Sequence, residues 1–113
     1  MNNVYDTAHK LADEIRASEE FKQYRDARKE VLANPELKKK IEEFEKIRYD
    51  VQVFALEKGE SNPEKMQKLQ ELYTILVENQ DIKEYFDLEV KFNVMVADVN
   101  KIIAESMEEI FKN

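Results

Sequence analysis

The stretch Asn34–Glu64, NPELKKKIEEFEKIRYDVQVFALEKGESNPE, uses one punctuation mark twice and decides the fold. In each Asn-Pro-Glu, the asparagine can cap a helix and the proline stands at its first position, where the missing N–H would go unpaired anyway. Between the two marks, Leu37, Ile41, Phe44, Ile47, Val51 and Phe54 recur at spacings of three and four, the period of one helical face. Gly59 can take the left-handed conformation that closes a helix. The spacing predicts a helix from Pro35 to Lys58, a tight connection, and a further helix from Pro63. That second helix carries Met66, Leu69, Leu72 or Tyr73, and Leu76 on one face.

The same grammar extends outward. Upstream, Val4, Ala8, Leu11 and Ile15 share a helical face. Ser18, followed by Glu19 and Glu20, has the form of an N-cap with acids at the positive end of the helix dipole. A break or kink is expected there, before a segment with Phe21, Tyr24, Arg28 and Val31 in register. Downstream, Asn79-Gln80-Asp81 is the last connection, and Asp81 with Glu84 makes a D-x-x-E capping arrangement. The final helix is then expected to run to about Phe111 without glycine or proline.

That helix carries the main functional signal. At 100° per residue, Leu88, Phe92, Met95, Val96, Val99, Ile102, Ile103 and their neighbours fill an arc of roughly 240°. A surface helix normally shows an apolar stripe only somewhat over 100° wide. About 30 residues would span about 45 Å, whereas a compact chain of this size has a radius of gyration of about 13 Å. The expectation is a protruding helix covered on one side by its own chain and on the other by a second copy. Phe92, Val96, Val99 and Ile103 are the interface candidates, and a dimer is the simplest homo-oligomer.

Composition agrees with this reading and excludes others. The 113 residues include one glycine, two prolines and no cysteine, with 18 basic against 25 acidic side chains and a formal charge of −7. A fold built on tight turns needs more glycine, so residues 1–113 read as a single all-α domain. Its form is an elongated bundle of four to five helices with a long C-terminal helix. Disulfides and cysteine-based metal sites are impossible. No apolar run approaches the 18 or more residues of a membrane span, and Met1–Asp6 lacks the basic and apolar parts of a signal peptide. The expected location is the cytoplasm, with no membrane partner. Lys38-Lys39-Lys40 is followed at once by Glu42, Glu43 and Glu45. It reads as a solvated face rather than a phosphate site, so no direct nucleic-acid binding is expected.

Catalytic chemistry finds few components. His9 is the only histidine, and with Asp6 and Asp13 it makes a thin ligand set without metal-binding spacing. Ser18, Ser61, Ser106, Thr7 and Thr74 have no evident activating base. Glu42/Glu43 and Glu108/Glu109 are neighbours in sequence rather than groups facing across a cleft. A single glycine excludes a phosphate-cradling loop. No catalytic, cofactor-binding or metal residue is assigned, and no cofactor is expected. Tyr49, Phe54, Tyr73, Tyr85, Phe86 and Phe92 read as core or as the lining of a pocket, and Met66, Met95 and Met107 as packing or an adaptable surface.

Three motifs, taken together, resemble the YlbF/YmcA family over nearly the whole chain. They are Ala8-x-x-Leu11-Ala12-x-x-Ile15-x-x-Ser18-x-x-Phe21-x-x-Tyr24, the Asn34-Pro35-Glu36-Leu37 restart, and Asn79-x-x-Ile82-x-x-Tyr85-Phe86-x-x-Glu89-x-x-Phe92. The resemblance implies a small, self-associating all-helical protein of Gram-positive bacteria without enzymatic activity of its own. It also implies a regulatory adaptor role. The better-known members assist the endoribonuclease RNase Y and so influence mRNA processing, competence, sporulation and biofilm formation. Their complexes are associated with iron–sulfur clusters that need cysteine ligands, so this cysteine-free chain resembles the family's short branch. Beside the adaptor stand two other readings: a small-molecule- or metal-binding helical protein, and a holdase-like helper presenting apolar helix faces.

Overall fold

The computed structural model describes residues 3–112. Met1 and Asn2, part of the stretch read against a signal peptide, lie outside them. The described residues form α1 (Val4–Ala17), α2 (Glu19–Leu32), α3 (Pro35–Lys58), α4 (Pro63–Leu76), α5 (Gln80–Glu105) and α6 (Glu108–Phe111), with no strand.

Both Asn-Pro-Glu marks act as read. Asn34 Oδ1 accepts from the N–H groups of Glu36 and Leu37 at 3.0 and 3.2 Å, and Asn62 Oδ1 from those of Glu64 and Lys65 at 3.1 and 3.2 Å. Gly59 closes α3 at φ 69°, its N–H donating to the Ala55 carbonyl. Ser18 does break the chain. Its backbone is extended, and its hydroxyl donates to the Ile15 carbonyl at 2.6 Å while accepting from the Phe21 N–H at 3.2 Å. One side chain thus ends α1 and starts α2.

Two details of the last helix differ from the sequence expectation. The cap of α5 is Asn79, whose Oδ1 accepts from the N–H groups of Asp81 and Ile82 at 2.9 and 3.1 Å. Asp81 lies within the first turn, where its charge suits the helix dipole instead. The helix also ends at Glu105 rather than near Phe111. Ser106 Oγ donates to the Ile103 carbonyl at 2.6 Å, and such back-bonding by a hydroxyl competes with helical continuation. The four-residue α6 follows the break.

Two compact units can be distinguished, and α2 and α5 contribute to both. The first, Arg28–Tyr85, contains a sealed core of Val31, Ile41, Phe44, Leu76, Ile82 and Tyr85, each no more than 5% exposed. α3 and α4 pack together in it, with the rings of Phe44 and Tyr73 6.2 Å apart. Arg28, the polar residue at an apolar register position of α2, ties the unit together. Its guanidinium donates to Glu45 at 3.0 Å and to the Tyr85 hydroxyl oxygen. The bond to Glu45 is the chief cause holding the Arg28 pKa above its ordinary value. Arginine is already cationic throughout the physiological range, so this clip is not a pH switch.

The second unit comprises the described residues up to Ala27 and those from Phe86 onward. The Phe92 ring of α5 lies 6.1 Å from Phe21 and 5.3 Å from Tyr24 of α2. The Tyr24 hydroxyl donates to Glu89 Oε2 at 3.0 Å. Phe86 is buried, but α1 has no buried residue, and every described residue from Asn100 onward is exposed.

Candidate interaction surface

In the second unit, α2 and α5 bound an open groove of about 650 Å³. Glu20 and Gln23 of α2 form one wall. From α5 come Val90, Lys91, Val94, Met95, Asp98, Val99 and Ile102. These recur as adjacent pairs four residues apart, the side-chain rows that a packing helix engages. Val90, Val94 and Ile102 are 59%, 54% and 68% exposed, so the groove presents apolar side chains to water.

The four interface candidates occupy different environments. Phe92 is half-buried against Phe21 and Tyr24 of its own chain, and Val96 is half-buried. Val99 is half-buried and lines the groove. Ile103 is 46% exposed and accepts the Ser106 hydroxyl through its carbonyl. The structure therefore brings Val99 to the groove and turns Phe92 toward α2. Sequence reasoning missed Val90, Val94, Lys91, Asp98, Glu20 and Gln23. The i, i+4 recurrence of Val90 and Val94 was the available signal, on the face roughly opposite the centre of the broad arc.

A second groove, of about 590 Å³, lies between α3 and α4 in the first unit. Phe44, Pro63, Met66, Leu69 and Tyr73 line it with Gln67 and Gln70. Among the aromatic residues read as core or pocket, Tyr73 is there, Tyr85 and Phe86 are buried, and Tyr49 is 66% exposed.

Among the described residues, no group of three or more histidine, cysteine, aspartate or glutamate side chains is placed to hold a metal ion. The donor set also fails to fit an iron–sulfur cluster, because the chain has no thiol and a single imidazole. Among the described residues, no helix is long and apolar enough to cross a membrane.

Capped helices and an open, helix-lined apolar groove define an all-helical protein. Residues 4–108 match the family described as "Control of competence regulator ComK, YlbF/YmcA". The chain belongs to this YlbF/YmcA family. It is 36% identical over 108 residues to a UPF0342 protein of Caldicellulosiruptor bescii, covering 96% of this chain and 91% of that one. It is 33% identical over 113 residues to a UPF0342 protein of Alkalihalophilus pseudofirmus, covering 100% and 96%. Among solved structures, it matches a Bacillus stearothermophilus protein of unknown function (DUF964) with a TM-score of 0.80 and 20% identity, over 97% and 96% of the two chains. It also matches yheA from Bacillus subtilis with a TM-score of 0.71 and 23% identity, over 96% and 99%. These two likenesses concern the fold. The family description names a regulatory process, the control of competence, rather than a catalysed reaction.

Proposed function

We propose that this chain is a non-enzymatic helical interaction module that self-associates as a dimer and serves in the cytoplasm as a regulatory adaptor. The observation that carries the reading is the open α2–α5 groove, with Val90, Val94 and Ile102 more than half exposed beside it. Monomeric soluble proteins seldom leave large contiguous apolar patches in water, and such patches mark interaction sites. Val99 and Ile103 belong to the proposed docking face, whereas Phe92 and Val96 support it from the chain's own side. The family's link to competence control supports a regulatory role. An endoribonuclease of the RNase Y type is the proposed client, by resemblance to the better-known members.

The adaptor reading separates two kinds of binding. The isolated chain, with its charge of −7, should show no appreciable RNA affinity near physiological salt, yet should bind the purified endoribonuclease polypeptide. Fluorescence anisotropy with labelled RNA and with labelled enzyme measures both. Tight, salt-sensitive RNA binding, or no binding to the enzyme, would refute the adaptor role. The α3–α4 groove favours a second reading, as its volume lies in the range of small-molecule sites. Saturable stabilisation of the chain by a metabolite, abolished by filling the groove at Met66, would support it.

A further inference from the structure

Over residues 90–99, the groove-lining residues of α5 are their own antiparallel complement. In chain order they begin Val90, Lys91, Val94, Met95, Asp98, Val99. Reversed about the point between Val94 and Met95, Val90 to Val99 map onto themselves with Lys91 falling on Asp98, while the last lining residue, Ile102, lies beyond this matched stretch. Lys91 and Asp98 stand two helical turns apart on nearly one line of the helix. Both are exposed, and among the described residues neither forms an ion pair.

We infer that the occupant of the groove is a second copy of this chain, seated with the two α5 helices antiparallel across a two-fold axis at Val94–Met95. This deepens, and rests on, the proposal that the chain self-associates. An isologous interface repeats every contact, so Lys91 of each copy meets Asp98 of the other, while Val90 and Val99, half a turn apart on the helix, flank that pair on opposite edges. The charged residues lie 3.5 residues, about 5 Å, along the helix from the axis, close enough for a lysine side chain to reach across an angled crossing. Glu20, on the α2 wall, adds a second carboxylate to the field around the incoming lysine.

Register is fixed by charge as well as by apolar contact. Moving the axis to Asp98 would set that carboxylate against its own copy, and moving it to Val96 would set Lys91 against Lys101. In the proposed register the like charges at Glu84 and Glu105 lie about 16 Å from the axis, where a crossing of about 50° carries them apart. Glu105 is also held 3.9 Å from Lys101 of its own chain. An unrelated helix could fill the apolar floor, but the reciprocal ends are matched to another α5.

The experiment is a charge-swap cycle on the full chain, read by analytical ultracentrifugation at low and moderate salt. Wild type should dimerise at tens of micromolar. Lys91→Glu and Asp98→Lys should each raise the dissociation constant at least about ten-fold, because each places two like-charge pairs at the interface. The double variant should return to within about three-fold of wild type, with equal helicity in all four proteins. A dimeric wild type with unchanged single variants, or with a double variant that does not recover, would overturn this register while leaving self-association intact. A wild type that stays monomeric would overturn both, leaving the groove to a different partner.

Discussion

Replacing Val94 by alanine should weaken association without weakening the fold. Val94 is 54% exposed and lines the α2–α5 groove, so about half of its side-chain surface remains to be buried. The substitution removes two methyl equivalents, worth about 1.6 kcal/mol if fully buried at about 0.8 kcal/mol per CH₂. Scaling by the exposed fraction leaves about 0.9 kcal/mol per copy, and a two-fold interface doubles it to about 1.7 kcal/mol. At about 1.4 kcal/mol per decade, the dissociation constant should rise about 15-fold. Sedimentation equilibrium over a concentration series measures this directly. Urea unfolding of the dilute, monomeric protein supplies the control. There the loss of about 0.7 kcal/mol from the already buried part is largely offset by alanine's higher helix propensity, so the change should stay below about 0.5 kcal/mol. An unchanged dissociation constant in a dimerising protein would show that Val94 stays in water. A stability loss in the monomer equal to the calculated association energy would show that Val94 packs within its own chain.

Two further perturbations test the other half of the fold. Ile41→Ala, at a position with no exposure, should destabilise by about 2–5 kcal/mol at every protein concentration; a loss below about 1 kcal/mol in chemical denaturation would show that this core is not sealed. Gly59→Ala should cost about 1–2 kcal/mol purely through its left-handed backbone, since a Cβ there would meet nothing within 4 Å. Gly59→Asn should cost less, and equal costs for the two variants would point to side-chain contacts instead.

The helix ends were legible in the sequence because capping is local chemistry. Asn34, Asn62 and Ser18 each satisfy backbone groups two or three residues away, so composition and spacing suffice to find them. The start of α5 offered two local candidates, Asn79 and Asp81, and only geometry chooses between them. Ser106 carries the same hydroxyl-to-carbonyl bond as Ser18, yet no acidic pair or change of register directly follows it to signal a stop. The Arg28 clip was visible only as an irregularity, a cation at an apolar register position. Its partners Glu45 and Tyr85 are 17 and 57 residues distant.

The proposed docking face was harder to read because an apolar arc records what can be buried, not which neighbour buries it. The arc on α5 is centred near Phe92, and that side faces Phe21 and Tyr24 of α2. The open groove lies to one side, rotated by about one residue's 100° step, and includes the charged Lys91 and Asp98, which an apolar search passes over. Charge at the centre of a predicted face is more informative there than further apolar residues, since it selects register as well as affinity. The distribution of burial makes the same point energetically. Among the described residues, six of the seven buried apolar ones lie in Arg28–Tyr85, and only Phe86 lies in the other unit. Local stability follows the density of buried apolar contacts. The unit that carries the groove is therefore the one whose structure would gain most from the proposed second copy, and association and folding would then be linked in it by mass action.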